Sequence, residues 1–227
     1  MTPEIYRLGL GICNCFLIRE EGTLLIDAGP PNQAGRFRKA LARISIDPGD
    51  ISLLLITHGH WDHIGSAAEI KETAGCQLAV NRREATWLEE GVKRLPPPIG
   101  LWGSVLTLGL RLISPAISVT CVAVDISLVD AEWSLEPLGI GGRVLHTPGH
   151  TSGSVTVLLD TGDAFVGDLA MNRLPLRIGP GMPPVGDSVL TIRQSWRRLL
   201  DAGARRIHPS HGQPFDAGVL ERALNSG

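Results

Sequence analysis

The sequence predicts an α/β or α+β fold with mixed sheets, folded as one domain over residues 1–227. Three observations carry this reading. Short apolar runs alternate with segments of helical period, some runs come in hairpin pairs, and no linker or low-complexity tract interrupts the chain. The length is enough to bury a substantial core. Hydrophobic residues at 43% and charged residues at 19% are the balance of an ordinary globular protein.

The first 28 residues read as strands, with apolar runs at 12–18 and 23–26 around a turn at Glu20-Glu21-Gly22. The second run ends in Asp27-Ala-Gly-Pro-Pro, where glycine and two prolines force the strand into a loop. Residues 32–43 suit a helix, with Phe37, Ala40 and Leu41 on its apolar face. Residues 51–56 are almost wholly apolar, as in a strand covered on both faces, and stop at Thr57-His58. A helix over 64–74 closes at Gly75, followed by a strand at 77–80 and a helix at 82–90. The later half repeats the grammar, with strands at 143–146, 154–159, 164–166 and 205–207 and a helix at 188–202.

The segment at about 93–124 stands apart. Between Leu95 and Val124 the only charged residue is Arg111. Pro96, Pro97, Pro98 and Pro115 cut the run into pieces shorter than the ~20 residues a membrane span requires, so no transmembrane segment is expected. Leu101, Trp102, Val105, Leu106, Leu108 and Leu112 make a broad apolar face. Three roles fit it: a buried helix or homodimer interface through residues 99–124, a lid over a site, or a segment touching a membrane surface.

A net charge of −2 offers no general field for a nucleic-acid backbone, and no nucleic-acid partner is expected. The start lacks the order of a secretory signal. Cys13, Cys15, Cys76 and Cys121 form neither a C-x-x-C pair nor a disulfide framework, so the expected compartment is the cytoplasm. Cys13 and Cys15 alternate in an apolar run and read as buried small hydrophobes.

The chemistry-bearing signal is Thr57-His58-Gly59-His60-Trp61-Asp62-His63, three imidazoles and a carboxylate directly after a strand. Histidine is the usual ligand of borderline divalent ions, and the carboxylate offsets their charge. Four potential ligands exceed the three that one open catalytic zinc uses, which points to two ions. His150, Asp168 and His211 each sit in a turn after a further predicted strand, where loops from several elements can converge. With the first cluster they make seven ligands. His146 and His208 fall outside the pattern and read as structural.

The order H-x-H-x-D-H, then His, Asp and His, resembles the metallo-β-lactamase superfamily, and most closely its glyoxalase II-like branch. The likeness runs from the strand end at Asp27 to His211-Gly212. It implies a four-layer αββα sandwich with the metals at one edge of two mixed sheets. By that resemblance His58, His60 and His150 would bind one metal, Asp62, His63 and His211 the second, and Asp168 would bridge them. Asp27 would support the ligands through hydrogen bonds. The implied cofactors are two divalent ions, zinc first, with iron or manganese as alternatives. The implied activity is hydrolysis of a small-molecule ester, thioester, lactone or related bond, with Asp62 also orienting the nucleophile or taking its proton. Arg173 and Arg177, in a Gly/Pro-rich loop after Asp168, are candidates to hold an anionic group of the substrate. The chief rival on the same pattern is an oxidoreductase resembling persulfide dioxygenases, which hold one iron with two histidines and an aspartate. Only about sixteen residues follow His211, fewer than glyoxalase II uses to grip glutathione, and Tyr6 lies far from the ligand motifs, unlike the tyrosine of the family's lactone hydrolases.

Overall fold

The computed structural model describes residues 2–173 and 176–226. In chain order its elements are β1 (Glu4–Leu10), β2 (Cys13–Arg19), β3 (Thr23–Ile26), α1 (Ala34–Arg43), β4 (Leu53–Leu55), α2 (Trp61–Ile64), α3 (Ala67–Ala74), β5 (Gln77–Asn81), α4 (Ala85–Glu89), α5 (Gly100–Ile113) and β6 (Ile126–Leu128). The second half adds β7 (Trp133–Ser134), β8 (Gly142–His146), β9 (Val155–Leu159), β10 (Asp163–Gly167), α6 (Val189–Asp201), β11 (Arg206–Pro209), β12 (Phe215–Asp216) and α7 (Gly218–Asn225).

Among the described residues the strands form two six-stranded sheets, ordered β1-β2-β3-β4-β5-β6 and β12-β11-β10-β9-β8-β7. Both are mixed. The first pairs antiparallel from β1 to β3 and parallel from β3 to β6. In the second only β10 and β11 run parallel.

The period-2 alternation of the strands separates the layers. Phe16, Ile18, Leu24, Ile26, Leu53 and Leu55 face Val144, Val157, Leu159 and Phe165 of the other sheet and make the central core. Their neighbours Leu17, Leu25 and Leu54 turn outward onto Phe37, Leu41 and Ile70 of α1 and α3. Leu145, Leu158 and Val166 do the same against Ile192, Trp196 and Leu199 of α6 and Leu220 of α7. The result is the helix–sheet–sheet–helix order that the family resemblance implied. Directions follow from the pairings: β3, β4, β8, β10 and β11 all end at one edge of the sandwich, and each is followed by a residue expected at the site.

Several boundaries differ from the sequence expectation. The helix expected from residue 32 starts at Ala34, because Asn32 has φ +66°, outside helical space. The helix expected over 64–74 is broken into α2 and α3. At the break the Ser66 hydroxyl donates to the Pro30 carbonyl at 2.6 Å and accepts from the Gln33 amide at 2.8 Å, tying it to the loop after β3. The short strands β6, β7 and β12 and the helix α7 were not anticipated.

The apolar segment forms α5, attached in an unusual way. Its buried residues are the small ones, Gly103 and Thr107, while Leu101, Leu108 and Leu112 are 90%, 61% and 77% exposed. At Gly103 a Cβ would lie 2.0 Å from the Pro184 carbonyl oxygen, so only glycine allows this close approach. Among the described residues no helix is long and apolar enough to cross a membrane.

Trp196 on α6 is fully buried, and its indole N–H donates to the Leu169 carbonyl at 2.9 Å, pinning the turn that follows Asp168. Trp196→Ala is expected to cost about 3–5 kcal/mol in denaturant unfolding, the range for deleting a buried aromatic. A loss below about 1 kcal/mol would show that the layer between α6 and the second sheet does not carry this load.

Candidate metal centre

Asp27 ends β3 with φ +62°, a conformation that Asp tolerates better than most residues. Its buried carboxylate accepts from the Thr57 amide at 2.8 Å, the Thr57 hydroxyl at 2.9 Å, His63 Nδ1 at 2.8 Å and the Ser210 hydroxyl at 3.2 Å. The loops that follow β4 and β11 are thereby fixed to one side chain at the end of β3.

The orientation of the histidines follows from what each outer nitrogen bonds. His63 Nδ1 is given to Asp27, His150 Nδ1 to the Val185 carbonyl at 3.0 Å, and His211 Nδ1 to the Ile12 carbonyl at 3.1 Å. In each the Nε2 is the nitrogen left facing inward, an acceptor when the ring is neutral. His58 Nδ1 lies 3.2 Å from the Thr57 hydroxyl, which leaves its Nε2 in the same role.

Two groups result. His58 Nε2 and His150 Nε2 each lie 3.0 Å from His60 Nδ1, with Asp168 Oδ2 at 3.9 Å from the first and 3.6 Å from the second. Asp62 Oδ2 and His211 Nε2 are 3.1 Å apart, with His63 Nε2 4.0 Å from that Asp62 oxygen. The other oxygen of Asp168, Oδ1, lies 3.5 Å from both His63 Nε2 and His211 Nε2. All seven expected ligands are therefore assembled, with one Asp168 oxygen turned to each group.

The residues fit divalent ions on an observation of their own. Two of the buried side-chain atoms without a hydrogen-bond partner among the described residues are His63 Nε2 and Asp168 Oδ1, which face each other at the second group. A buried acceptor left unpaired is costly, and a cation among these lone pairs satisfies it. Asp168 is placed by Gly167, whose φ is +56° and where a Cβ would meet the Thr57 hydroxyl at 2.7 Å.

The electrostatics of the two groups differ. Burial, followed by repulsion from neighbouring imidazoles, pushes His58 well below the ordinary histidine value, and burial with the nearby His150 lowers His60 to about 3. His150 is lowered as well, again first by burial. Burial also opposes protonation of His63 and His211, but their acidic surroundings win and raise both well above the ordinary value. Around His63 these are Cys13, Asp27, Asp168 and Asp62; around His211 they are Asp168 and Asp62.

A residue that the sequence analysis missed holds the first group together. Glu84, fully buried just before α4, accepts from the Gly59 amide at 2.7 Å and the Gly153 amide at 2.9 Å. It thus clamps the loop carrying His58 and His60 to the loop carrying His150. A Cβ on Gly59 would lie 2.5 Å from the Trp87 ring, and one on Gly153 2.4 Å from Glu84 Cγ, so both backbones come as close as glycine permits. The one signal in the sequence was a glycine in or just after each histidine motif, Gly59 and Gly153.

Cys13 lies behind His63, its Sγ 3.8 Å from Nδ1, the nitrogen already used by Asp27. Burial pushes its thiol well above the ordinary range, and it packs as a small buried group. His208 donates from Nε2 to Asp163 at 2.7 Å and stacks on Phe165, and His146 Nε2 meets the Ser152 carbonyl at 2.9 Å. Both lie outside the two groups.

The groups open into a cavity of about 520 Å³ whose floor includes His60, Asp62, His150, Asp168 and His211. Arg173 is on its wall, donating to the Ile12 carbonyl at 2.8 Å. Arg177 is not among the residues lining it; its guanidinium donates to the Met182 carbonyl at 3.3 Å and packs against Gly181.

Comparison with known proteins agrees with this fold. An uncharacterized protein of Mycobacterium tuberculosis is 31% identical, over 97% of this chain and 94% of its own length. A probable metallo-hydrolase of Methanocaldococcus jannaschii is 26% identical, over 89% of each chain. A solved archaeal metallo-β-lactamase superfamily protein from Sulfolobus tokodaii superposes with a TM-score of 0.70 at 22% identity, over 99% of this chain and 86% of its own. The model of the family described as the metallo-β-lactamase superfamily matches residues 8–211, a span that begins on β1 and ends on the last of the seven clustered side chains, and the chain belongs to that superfamily.

Proposed function

We infer that the protein is a hydrolase that holds two divalent ions, zinc foremost, and cleaves a small-molecule ester, thioester, lactone or related bond. The observation that carries this reading is the two-sided placement of Asp168, one oxygen toward each group of histidines. A single-iron site of two histidines and an aspartate would leave the second group without a purpose. The name of the Methanocaldococcus relative points the same way.

His58, His60 and His150 would hold one ion, Asp62, His63 and His211 the other, and Asp168 both. Such a pair of ions, when bound, supplies Lewis acidity that activates water at neutral pH. The chain's own residues do the rest. Asp62 lines the cavity floor and remains 13% exposed at its side chain, placed to orient the attacking water and take its proton. Asp27, Thr57 and Glu84 keep the imidazoles from turning as charge develops. Arg173 stands at the cavity wall where an anionic substituent of the substrate could be held.

The test is elemental analysis of protein purified without added metal, with turnover of ester, thioester and lactone reporters on the same sample. Two ions per chain and hydrolysis of at least one reporter are expected. One iron per chain, with oxygen consumed on adding glutathione persulfide, would replace this reading by the dioxygenase. Asp168→Ala should lose metal and lower turnover more than about 100-fold, beyond the ~10–100-fold typical of outer-shell changes. Glu84→Ala is expected to fall within that outer range in metal affinity, with Glu84→Gln less affected because its amide oxygen still accepts a hydrogen bond.

Proton competition gives an ordered release. A raised pKa means that protons displace the cation at higher pH, and a lowered one defers displacement to lower pH. His63 and His211 are raised, and His58, His60 and His150 lowered. On stepwise acidification the ion at Asp62, His63 and His211 should leave first, seen as a plateau near one ion per chain. Loss of both ions in one step, with no plateau, would contradict the assignment.

A further inference from the structure

One wall of the cavity above the ligands is a stripe of α5: Val105, Leu106, Gly109, Leu110 and Ile113. These positions recur on one side of the helix, and from Val105 to Ile113 the stripe runs about 12 Å at ~1.5 Å per residue. Pro96, Met171, Leu176 and Val185 line the cavity as well, so its walls are largely apolar while its floor is made of ligands. Val105 and Ile113 remain 59% and 50% exposed although they line this space. Apolar surface left facing water beside a reactive centre is stabilised only when something apolar covers it.

The attachment of α5 explains how the stripe is kept open. The helix meets the body through Gly103 and Thr107, and its amide neighbour Ile99 donates to the Pro184 carbonyl at 2.7 Å. Its larger side chains are thereby left for the cavity and for solvent. At Gly109, in the middle of the stripe, a Cβ would meet nothing within 4 Å, so the space beside it is open.

We propose that this cavity takes an acyl compound with an extended aliphatic chain, the chain lying along the α5 stripe and the acyl carbon lying over the floor at Asp62 and His211. The proposal rests on the hydrolase reading and gives it a substrate class. The reaction is addition of water across the acyl bond. The water oxygen bonds to the acyl carbon, the bond from that carbon to the oxygen or sulfur of the leaving group breaks, one proton of the water goes to the leaving group and the other to solvent, and a fatty carboxylate and an alcohol or thiol depart. Water is the sole co-reactant, and no electrons are gained or lost.

Two measurements on the full-length, metal-loaded protein test this. The first is calorimetric binding of n-alkanoates from butanoate to dodecanoate, the product series. The second is kcat/KM for p-nitrophenyl esters and the matching thioesters over the same lengths. Affinity and kcat/KM should rise about fourfold per methylene, the ~0.8 kcal/mol that a buried CH2 contributes, until the stripe is filled. Gly109→Phe should cut the ratio of long-chain to short-chain binding at least tenfold, and Leu110→Asn should flatten the rise. Length-independent binding and turnover, or a slope unchanged in both variants, would overturn the acyl-chain assignment while leaving the hydrolase standing. A length-dependent affinity with no turnover of any acyl reporter would do the reverse, keeping the apolar subsite and removing hydrolysis as its purpose.

Discussion

The site depends above all on the buried carboxylate of Asp27. It receives hydrogen bonds from Thr57 and His63, on the segment that follows β4, and from Ser210, on the segment that follows β11. A carboxylate away from water is tolerated only when several donors satisfy it, so all of these partners must be in place together. Backbone bonds extend the constraint. The Ala28 amide donates to the His63 carbonyl at 2.8 Å, Val155 to Thr57 at 2.9 Å, and Ser210 to Gly167 at 3.0 Å. Strand ends from both sheets are thus locked at one edge before any ion binds, and His63 presents Nε2 inward because its other nitrogen has no choice.

Glu84 plays the matching part for the first group, and comparing the two shows what a sequence can reveal. Asp27 was legible because it ends an apolar run and is followed by Gly and Pro, a pattern with a local meaning. Glu84 has no such pattern. It precedes a short helix, looks like any surface acid, and acquires its role only when β5 and β9 bring α4 beneath two loops. The seven candidate ligands were legible for a further reason: metal chemistry restricts residue types and places them just after strands, and both features survive in one dimension.

Legibility of the fold failed along similar lines. The long apolar runs of β2, β3, β9 and β10 were visible because burial on both faces leaves a dense signal. β6, β7 and β12 have two or three residues each and exist because an edge of a sheet offers them partners, which no local window contains. The break between α2 and α3 was hidden because periodicity continues across it, while the Ser66 hydrogen bonds that stabilise it come from residues 30 and 33. Arg177 illustrates the converse. Its place in a Gly/Pro-rich loop after Asp168 suggested the cavity, but the loop folds so that its guanidinium packs on Gly181 instead.

The inverted attachment of α5 has a consequence for the chemistry itself. Its wall brings low-polarity groups to within the same cavity as Asp62, Asp168 and three imidazoles, where excluding water strengthens every electrostatic interaction. The wall alone does not exclude water, because Val105 and Ile113 are half exposed. An apolar occupant would complete the exclusion, so the part of a substrate that never reacts would help set the field felt by the part that does. Binding energy from a remote chain can then appear in kcat as well as in KM. A helix anchored by its large residues would close the cavity permanently, and one with a polar inner face would leave it wet. Anchoring through Gly103 and Thr107 avoids both outcomes, which gives a physical reason for small residues where a conventional amphipathic helix would bury leucines.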